Sequence, residues 1–126
     1  MIFGIGIDIL EISHFQKALQ KGGANFLELV FNKNEIEYAQ KKEGLSNLAT
    51  TFAGKEAVFK ALNLPPQKNF NYFRKIEISH LASGKPQIKL KAPLSRKFPS
   101  ANFHFFISIS YTPRLASAFV ILEKIK

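Results

Sequence analysis

The sequence predicts an α+β fold in which an antiparallel sheet packs with one long helix and shorter helices. Apolar residues recur at helical spacing mainly before residue 62, whereas the alternation typical of strands dominates after residue 76. Pro65-Pro66 separates the two parts, because proline cannot continue a helix. A chain of 126 residues has the size of one domain, so we expect residues 1–126 to fold as a single unit.

The first half is predicted to hold one strand and three helices. The expected elements are a strand over 1–10 and helices over 11–21, 32–39 and 47–62. Ser13 and Ser46 are the expected N-caps of the first and third helices, and Gly22-Gly23 is expected to end the first. Asn32 and Glu35 have the spacing of a capping box, which predicts the start of the second helix.

The second half is predicted to hold four strands, at 76–80, 87–91, 103–110 and 116–122. Residues 67–74 are expected to form a loop, residues 92–102 an irregular connection and residues 123–126 a charged tail. A turn at Ser83–Pro86 joins the first two of these strands. The strand that begins at Phe103 alternates, so His104, Phe106, Ser108 and Ser110 share one of its faces.

The composition is that of a globular protein, with 46% hydrophobic and 21% charged residues. Thirteen phenylalanines predict a large aromatic core, or a core together with a subunit interface. Cysteine is absent, which rules out disulfides and thiolate metal sites and suits a reducing compartment. No apolar run approaches the length of about 20 residues that spans a bilayer, so we expect a cytoplasmic protein without a membrane partner.

Asp8 is the residue that most strongly indicates a functional site. It lies inside the apolar, β-branched run Met1–Leu10, which predicts a buried strand. A lone carboxylate in such a strand carries a desolvation penalty of several kcal/mol unless it is paired. Either backbone donors satisfy Asp8, or it shares a cation with a second carboxylate.

Glu56 and Lys60 are the best candidates to complete such a site. They stand four residues apart in the predicted long helix and therefore share one of its faces. The alternative is an ordinary exposed helical ion pair. A strand carboxylate together with a helical carboxylate and lysine can hold a divalent metal and a phosphate, which is the interpretation we favour.

Other motifs are less informative. Gly4 and Gly6 resemble the start of a dinucleotide-binding motif, but they lie within the strand and lack the third glycine, so a close backbone contact is the preferred explanation. Three scattered histidines lack zinc-ligand spacing. Ser108 and Ser110 have no identifiable base partner for nucleophilic catalysis.

Four blocks of the chain resemble the holo-[acyl-carrier-protein] synthases of the phosphopantetheinyl transferase superfamily. The blocks occur in the order found in that family, and the chain has the family's length. They are Gly4–Ile12, Phe52–Leu62, Ser83–Pro86 and Ile107–Thr112. The resemblance implies a homotrimer with active sites at subunit interfaces. It also implies transfer of 4′-phosphopantetheine from coenzyme A to a serine of acyl carrier protein, with adenosine 3′,5′-bisphosphate as the other product.

The same resemblance implies roles for individual residues. Asp8 and Glu56 would hold Mg²⁺ with the coenzyme A pyrophosphate, and Lys60 would contact phosphate. The nucleotide end of coenzyme A would be lined by Gly84, Lys85, Pro86, Ser108 and Ser110. Positions that depart from the family's common residues are His14, Thr51, Phe106 and Tyr111.

The formal net charge of +9 indicates an anionic partner. The resemblance makes acyl carrier protein, which is acidic, that partner. We expect it to dock on His14, Lys17 and Lys21, with Lys33 and the apolar Phe26 nearby. The alternatives are a solvated basic face, a small nucleic-acid-binding domain and a noncatalytic trimeric module. Nucleic acid is not the expected partner, because no recognition signature accompanies the charge.

Overall fold

The computed structural model describes residues 1–42, 44–65 and 72–125. In chain order its helices and strands are β1 (Ile2–Glu11), α1 (Ile12–Val30), α2 (Lys33–Gln40), α3 (Gly44–Ala61), β2 (Ile76–His80), β3 (Pro86–Leu90), α4 (Leu94–Lys97), β4 (Phe103–Tyr111) and β5 (Leu115–Lys124). A 3₁₀ turn, Phe73–Lys75, precedes β2. The α+β class is confirmed. In the described part of the chain, no helix is both long enough and apolar enough to cross a membrane.

The strands form two antiparallel sheets instead of one. The larger sheet has the order β1-β5-β4, and the smaller one consists of β2 and β3. The central strand β5 places Ala118 beside both Asp8 of β1 and Ile109 of β4. Alternate residues of β5 are fully or almost fully buried beneath α3, and they form the floor of the core: Ala116, Ala118, Val120 and Leu122.

Helix α3 packs directly on the backbone of β1 at two glycines. A Cβ atom added to Gly4 would lie 1.9 Å from the carbonyl oxygen of Ala61, and one added to Gly6 would lie 1.8 Å from that of Ala57. Both distances are far below any allowed contact, so these positions require glycine. The interpretation of Gly4 and Gly6 as sites of close backbone approach is confirmed.

The opposite face of the three-stranded sheet exposes large apolar side chains. Ile7 is 63% exposed, Phe106 50% and Phe119 41%, and Ile5 and Ile9 of β1 are similarly exposed. Register pairs Ile7 with Phe119 across β1 and β5, and Phe106 lies on the same face in β4. An apolar patch that extends over three strands is typical of an association surface. We call this exposed side of the three-stranded sheet, which carries these five side chains, the outer sheet face.

Two predicted helix caps are wrong, and one is confirmed. Helix α1 begins at Ile12, directly after β1 and before Ser13, because the Ile12 N–H bonds to the Arg114 carbonyl and the Ile12 side chain is buried. Helix α3 begins at Gly44, two residues before Ser46. The capping box is present: Asn32 Oδ1 accepts the Glu35 N–H at 3.1 Å, and Glu35 Oε1 accepts the Asn32 N–H at 3.0 Å.

The predicted end of the first helical segment at Gly22-Gly23 is confirmed, but a second segment follows it directly. The backbone has non-helical angles only at Gly23 (φ 57°, ψ −145°), and the helix resumes to Val30. The second half is buried enough to continue, since Val30 is fully buried and Phe26 and Leu27 are half-buried against the same core. Gly23 therefore separates α1 into two helical segments.

The predicted strands of the second half are confirmed with small changes of boundary. Strand β5 extends through the predicted tail to Lys124, because Lys124 bonds to the Met1 carbonyl beside it. The connection at 92–102 contains the short helix α4. Most of the loop predicted at 67–74 lies outside the described residues, and Phe73 and Arg74 at its end belong to the 3₁₀ turn.

Candidate active site

The packing of α3 on β1 brings Asp8 next to the helical turn that contains Glu56. Two residues of a strand advance about 6.7 Å and four residues of a helix advance 6 Å, so the two elements stay in step. Because Gly4 lies at Ala61 and Gly6 at Ala57, Asp8 reaches the level of the next turn toward the start of α3. The sequence expectation that Asp8 faces this helix is thereby met.

Lys60 joins the strand and the helix. Its Nζ atom donates a hydrogen bond to the Ile7 carbonyl at 2.8 Å and lies 3.4 Å from Asp8 Oδ1. The Asp8 side chain is 18% exposed, and that of Lys60 is 52% exposed. The ammonium group therefore sits at the solvent edge of a partly buried carboxylate, where it remains accessible to an anionic ligand.

Glu56 completes a partly buried carboxylate pair. Burial raises the pKa of Glu56, the negative charge of Asp8 raises it further, and Lys60 lowers it. Burial likewise raises the pKa of Asp8, against the opposing effect of Lys60. Two carboxylates share one lysine, so the site carries an excess of negative charge that a cation would neutralise.

The carboxylates of this site fit Mg²⁺ better than they fit an ion whose ligands all come from protein. Among the described residues, no group of three or more histidine, cysteine, aspartate or glutamate side chains could hold an ion. Mg²⁺ commonly binds through one or two carboxylates and takes its other oxygens from water and substrate phosphates. Asp8 and Glu56 supply that number of carboxylates, with Lys60 beside them for phosphate.

The turn residues Gly84, Lys85 and Pro86 lie in the β2–β3 hairpin, apart from the carboxylate pair. Gly84 has φ 90°, a conformation that strains other residues, so glycine is needed to close the β2–β3 turn. Lys85 and Pro86 line a cleft of about 750 Å³ between β3 and β4. The carboxylate pair and Lys60 are not among the residues that line this cleft.

Ser108 and Ser110 lie on the outer sheet face, away from α3. Ser108 is paired with Phe119, and both are exposed. Asp8 belongs to the opposite face, since its partner Ala118 is buried beneath α3. One chain therefore places these serines and the carboxylate pair on opposite faces of the sheet.

The candidate docking residues share the exposed side of α1. His14, Lys17 and Lys21 are exposed, and His14 lies 3.4 Å from the Glu11 carboxylate. Beside His14 runs an apolar groove of about 620 Å³, lined by Phe15, Phe26, Phe52 and neighbouring side chains. Lys33, by contrast, lies 4.0 Å from Glu37 in α2.

Some site residues were missed by sequence reasoning. Phe15 and Phe52 stand at helical spacing that is typical of core residues, and both also line the groove. Tyr111 lines a pocket of about 300 Å³ with Tyr38, Lys42 and Asn47. The burial of Thr51, which is 4% exposed, keeps it out of contact with ligands in solution.

The chain is similar to proteins of one enzyme superfamily. A family model described as the 4′-phosphopantetheinyl transferase superfamily matches residues 4–118. A holo-[acyl-carrier-protein] synthase of Clostridium botulinum (strain Eklund 17B / Type B) is 39% identical over 128 residues, covering 99% of this chain and 100% of the relative. The chain belongs to the holo-[acyl-carrier-protein] synthase family of enzymes.

Solved structures of the same family have the same fold. The synthase from Neisseria meningitidis has a TM-score of 0.86 and 30% identity, covering 98% of this chain and 100% of that one. The synthase from Bacillus anthracis, solved in complex with coenzyme A (3′,5′-ADP), has a TM-score of 0.78 and 31% identity, covering 98% of each chain.

Proposed function

We propose that this enzyme transfers 4′-phosphopantetheine from coenzyme A to a serine of apo-acyl carrier protein. The serine oxygen forms a bond to the phosphorus that carries the pantetheine arm, and the pyrophosphate bridge to adenosine 3′,5′-bisphosphate breaks. The grouping of Asp8, Glu56 and Lys60 on β1 and α3 is the observation that carries the proposal. Membership of the synthase family and the coenzyme A complex of its B. anthracis relative support it.

Asp8 and Glu56 are the residues that would hold Mg²⁺. The bound ion would supply neutralisation of charge on the pyrophosphate, which is what phosphoryl transfer chiefly needs besides alignment. Lys60 contributes a second positive charge from the solvent edge of the site, and its bond to the Ile7 carbonyl fixes its direction. Lys60 would therefore contact the phosphate directly, whereas Asp8 and Glu56 would orient it only by holding the ion.

The serine proton needs an acceptor, and two groups near the site fit. One is Glu56, whose raised pKa makes it a stronger base than an ordinary glutamate. The other is a water molecule held by Asp8. A carboxylate that holds the metal and also accepts a proton serves two roles, whereas a water acceptor leaves both carboxylates as ligands.

We infer that the enzyme works as a homotrimer with its active sites between subunits. The outer sheet face offers an apolar surface for self-association. Ser108 and Ser110 lie on that face, and the cleft with Lys85 and Pro86 lies at the β4 edge beside it. A neighbouring chain would then bring these residues to the carboxylate pair, so coenzyme A would span two subunits.

We place the carrier-protein docking surface on α1. His14, Lys17 and Lys21 supply positive charge, and the groove that contains Phe26 and Phe52 supplies an apolar contact beside it. The combination suits a partner with acidic residues around an apolar side chain. The groove lies close to the strand end that follows Asp8, since Ile9 and Leu10 line it.

The test is incubation of the protein with coenzyme A, Mg²⁺ and apo-acyl carrier protein, followed by mass spectrometry of the carrier. We expect the mass of one phosphopantetheinyl group to be added in the presence of Mg²⁺ and not in EDTA. An unmodified carrier under both conditions would favour a noncatalytic trimeric module or a nucleic-acid-binding domain. Retention on heparin does not separate these candidates, because any protein this basic can bind it.

Substitution of either carboxylate should stop the reaction. We expect Asp8→Ala and Glu56→Ala each to lower kcat by at least about a hundredfold, since each removes a metal ligand beside the transferred phosphate. Circular dichroism should show an intact fold. Glu37→Ala, at an exposed glutamate of α2, is the control and should keep normal turnover. Near-normal turnover of either site variant at saturating Mg²⁺ would contradict the proposed metal role.

A further inference from the structure

Glu35 and Lys55 form a buried ion pair that has no part in the proposed chemistry. Lys55 directly precedes Glu56 in α3, and Glu35 lies in the first turn of α2. Lys55 Nζ lies 2.6 Å from Glu35 Oε1, and the two side chains are 0% and 1% exposed. Two charges removed from water to this extent persist only where every remaining donor and acceptor is satisfied.

The Lys55 ammonium group uses all three of its N–H donors. Besides Glu35, it donates to the Val30 carbonyl at 2.8 Å and to the Phe73 carbonyl at 2.8 Å. Val30 ends α1, and Phe73 begins the 3₁₀ turn that leads into β2. One side chain of α3 is thus bonded to three other segments of the chain.

Glu35 extends this connection to the β2–β3 hairpin. Its Oε2 atom accepts the Ile78 N–H at 2.8 Å, and its Oε1 atom accepts the Asn32 N–H at 3.0 Å. Ile78 lies in β2, and the hairpin continues into the turn with Gly84 and Lys85. Helix α3 and strand β2 of the hairpin are therefore bonded to the same ion pair.

The rotation of α3 about its own axis is the quantity that this pair can control. Successive residues of a helix point about 100° apart, so Lys55 and Glu56 project to different sides. The contacts at Gly4 and Gly6 set the distance between α3 and β1, but glycine has no side chain that interlocks with the helix. Side chains on the rest of the helix must therefore resist its rotation. Among them, the buried Lys55 side chain uses all of its hydrogen-bond donors.

We propose that Glu35 and Lys55 are positioning residues, which hold α3 rotated so that Glu56 faces Asp8. The proposal rests on the transfer function above. It assigns the pair to catalysis as well as to folding, because a displacement of about 1 Å of a catalytic group can lower the rate a hundredfold. A pair that serves stability alone would influence only the amount of folded protein.

The test replaces the pair by apolar side chains of similar size in the full-length protein. The double variant E35L/K55M should still unfold cooperatively but at a lower melting temperature than the parent, because the backbone groups bonded to the pair lose their partners, namely those of Val30, Phe73, Asn32 and Ile78. Its activity is therefore measured well below that temperature, where the variant is folded. We expect its kcat to fall at least about tenfold, with the KM for carrier protein unchanged. The matched control is E37L/K41M, which replaces two exposed residues of opposite charge at α2 and its C-cap and should change neither the melting temperature nor kcat.

A second measurement needs no turnover. Mn²⁺ binding is followed by water proton relaxation in the presence of coenzyme A and without carrier protein. We expect the double variant to bind Mn²⁺ at least about tenfold more weakly than the parent, because its two carboxylates no longer converge. The milder E35Q variant, which loses the acceptor for the Ile78 N–H, should show a smaller loss in the same direction.

Each outcome decides the inference. Parent-like kcat and Mn²⁺ affinity in the double variant would show that the pair does not position the site. A double variant without cooperative unfolding, together with normal kcat in E35Q, would assign the pair to folding only. If the parent fails to modify the carrier yet binds Mn²⁺, the proposed transfer is wrong and the metal affinities still decide the positioning role. If the parent does not bind Mn²⁺ either, both proposals are wrong.

Discussion

At the scale of single residues, the site places two carboxylates close together, although this arrangement does not stabilise the fold. Asp8 and Glu56 are partly buried, and the pKa of each is raised by that burial. Lys60 offsets only part of this cost. Two partly buried carboxylates that face one another lower the stability of the folded protein. Such an arrangement is expected at a binding site, where a ligand supplies the compensating positive charge.

The free-energy cost of the charged Glu56 side chain can be measured. A neutral residue at this position should stabilise the protein, by an amount that depends on pH. Burial, and then the charge of Asp8, raise the pKa of folded Glu56 above its ordinary value near 4.5. The folded state therefore holds this proton to higher pH than the unfolded chain does. The penalty is absent below the ordinary pKa, grows as pH rises through the folded pKa and is complete above it.

We therefore expect metal-free Glu56→Gln to melt at a higher temperature than the parent at pH 7.5, with the difference shrinking toward pH 4. Thermal unfolding followed by circular dichroism in EDTA across this range measures it. Glu37→Gln, in the exposed part of α2, should show no comparable gain. A Glu56→Gln protein that melts below the parent at neutral pH would mean that Lys60 already compensates the charge.

At the scale of elements, the contact between β1 and α3 builds the site. The strand provides Asp8 and the helix provides Glu56 and Lys60, and only glycine allows the two backbones to lie this close. On the helix, the contacts are made by the small, fully buried residues Ala57 and Ala61. Structure and chemistry therefore depend on the same four backbone positions.

A methyl group at Gly6 should damage both stability and activity. The new Cβ would lie 1.8 Å from the Ala57 carbonyl oxygen, so α3 must move outward. We expect Gly6→Ala to lower the free energy of unfolding by about 1–3 kcal/mol or more and to lower kcat in the fraction that remains folded. Urea denaturation and the carrier-modification assay give the two quantities.

Gly44→Ala is the matched control for this prediction. A Cβ at Gly44 would lie 3.6 Å from the Ala39 carbonyl oxygen, which is an ordinary contact. Alanine also favours the helix that starts there, so we expect no loss of stability. If Gly6→Ala were as stable and active as Gly44→Ala, the close approach would not be what brings Asp8 and Glu56 together.

At the scale of the whole molecule, the outer sheet face is exposed and the basic residues are distributed unevenly. Residues 1–42 contain five basic and five acidic residues, whereas residues 74–97 contain seven basic and one acidic. The net charge of +9 therefore lies mostly around the β2–β3 hairpin and α4 rather than on α1. The proposed docking on α1 therefore has to depend on local charge.

A charged residue in the outer sheet face should dissociate the proposed trimer. Ile7→Lys places an ammonium group on a side chain that is 63% exposed in the single chain, so the fold of that chain should tolerate it. Sedimentation equilibrium should show monomers, and carrier modification should be lost, because each site would lack its neighbour's residues. Leu29→Lys, at a side chain 48% exposed on α1, is the control and should remain trimeric.

Local docking charge can be separated from overall charge with two double variants. Lys17→Glu with Lys21→Glu, and Arg96→Glu with Lys97→Glu, change the net charge equally but at α1 and α4 respectively. At low ionic strength and saturating coenzyme A, we expect the α1 variant alone to lower kcat/KM for the carrier by about tenfold or more. The difference should shrink as added salt shortens the screening length below about 10 Å. Equal losses in both variants would assign the effect to overall charge.

The sequence by itself determined the class of fold and the identity of the chemical groups. Apolar alternation and helical spacing located β1, α3 and the late strands, and the capping box of Asn32 and Glu35 is local enough to be recognised from spacing. Asp8 could be singled out because a carboxylate in an apolar strand is costly wherever the strand lies. These features depend on near neighbours along the chain.

Only the tertiary structure decided which side of the sheet each residue faces and what covers it. It placed Ser108 and Ser110 on the side opposite Asp8, divided the strands into two sheets, and joined Glu35 to Lys55 across 20 residues of sequence. It also placed a second helical segment after Gly23, which ends at the buried Val30. Such outcomes are set by contacts between distant segments, whose free energy local sequence patterns do not contain.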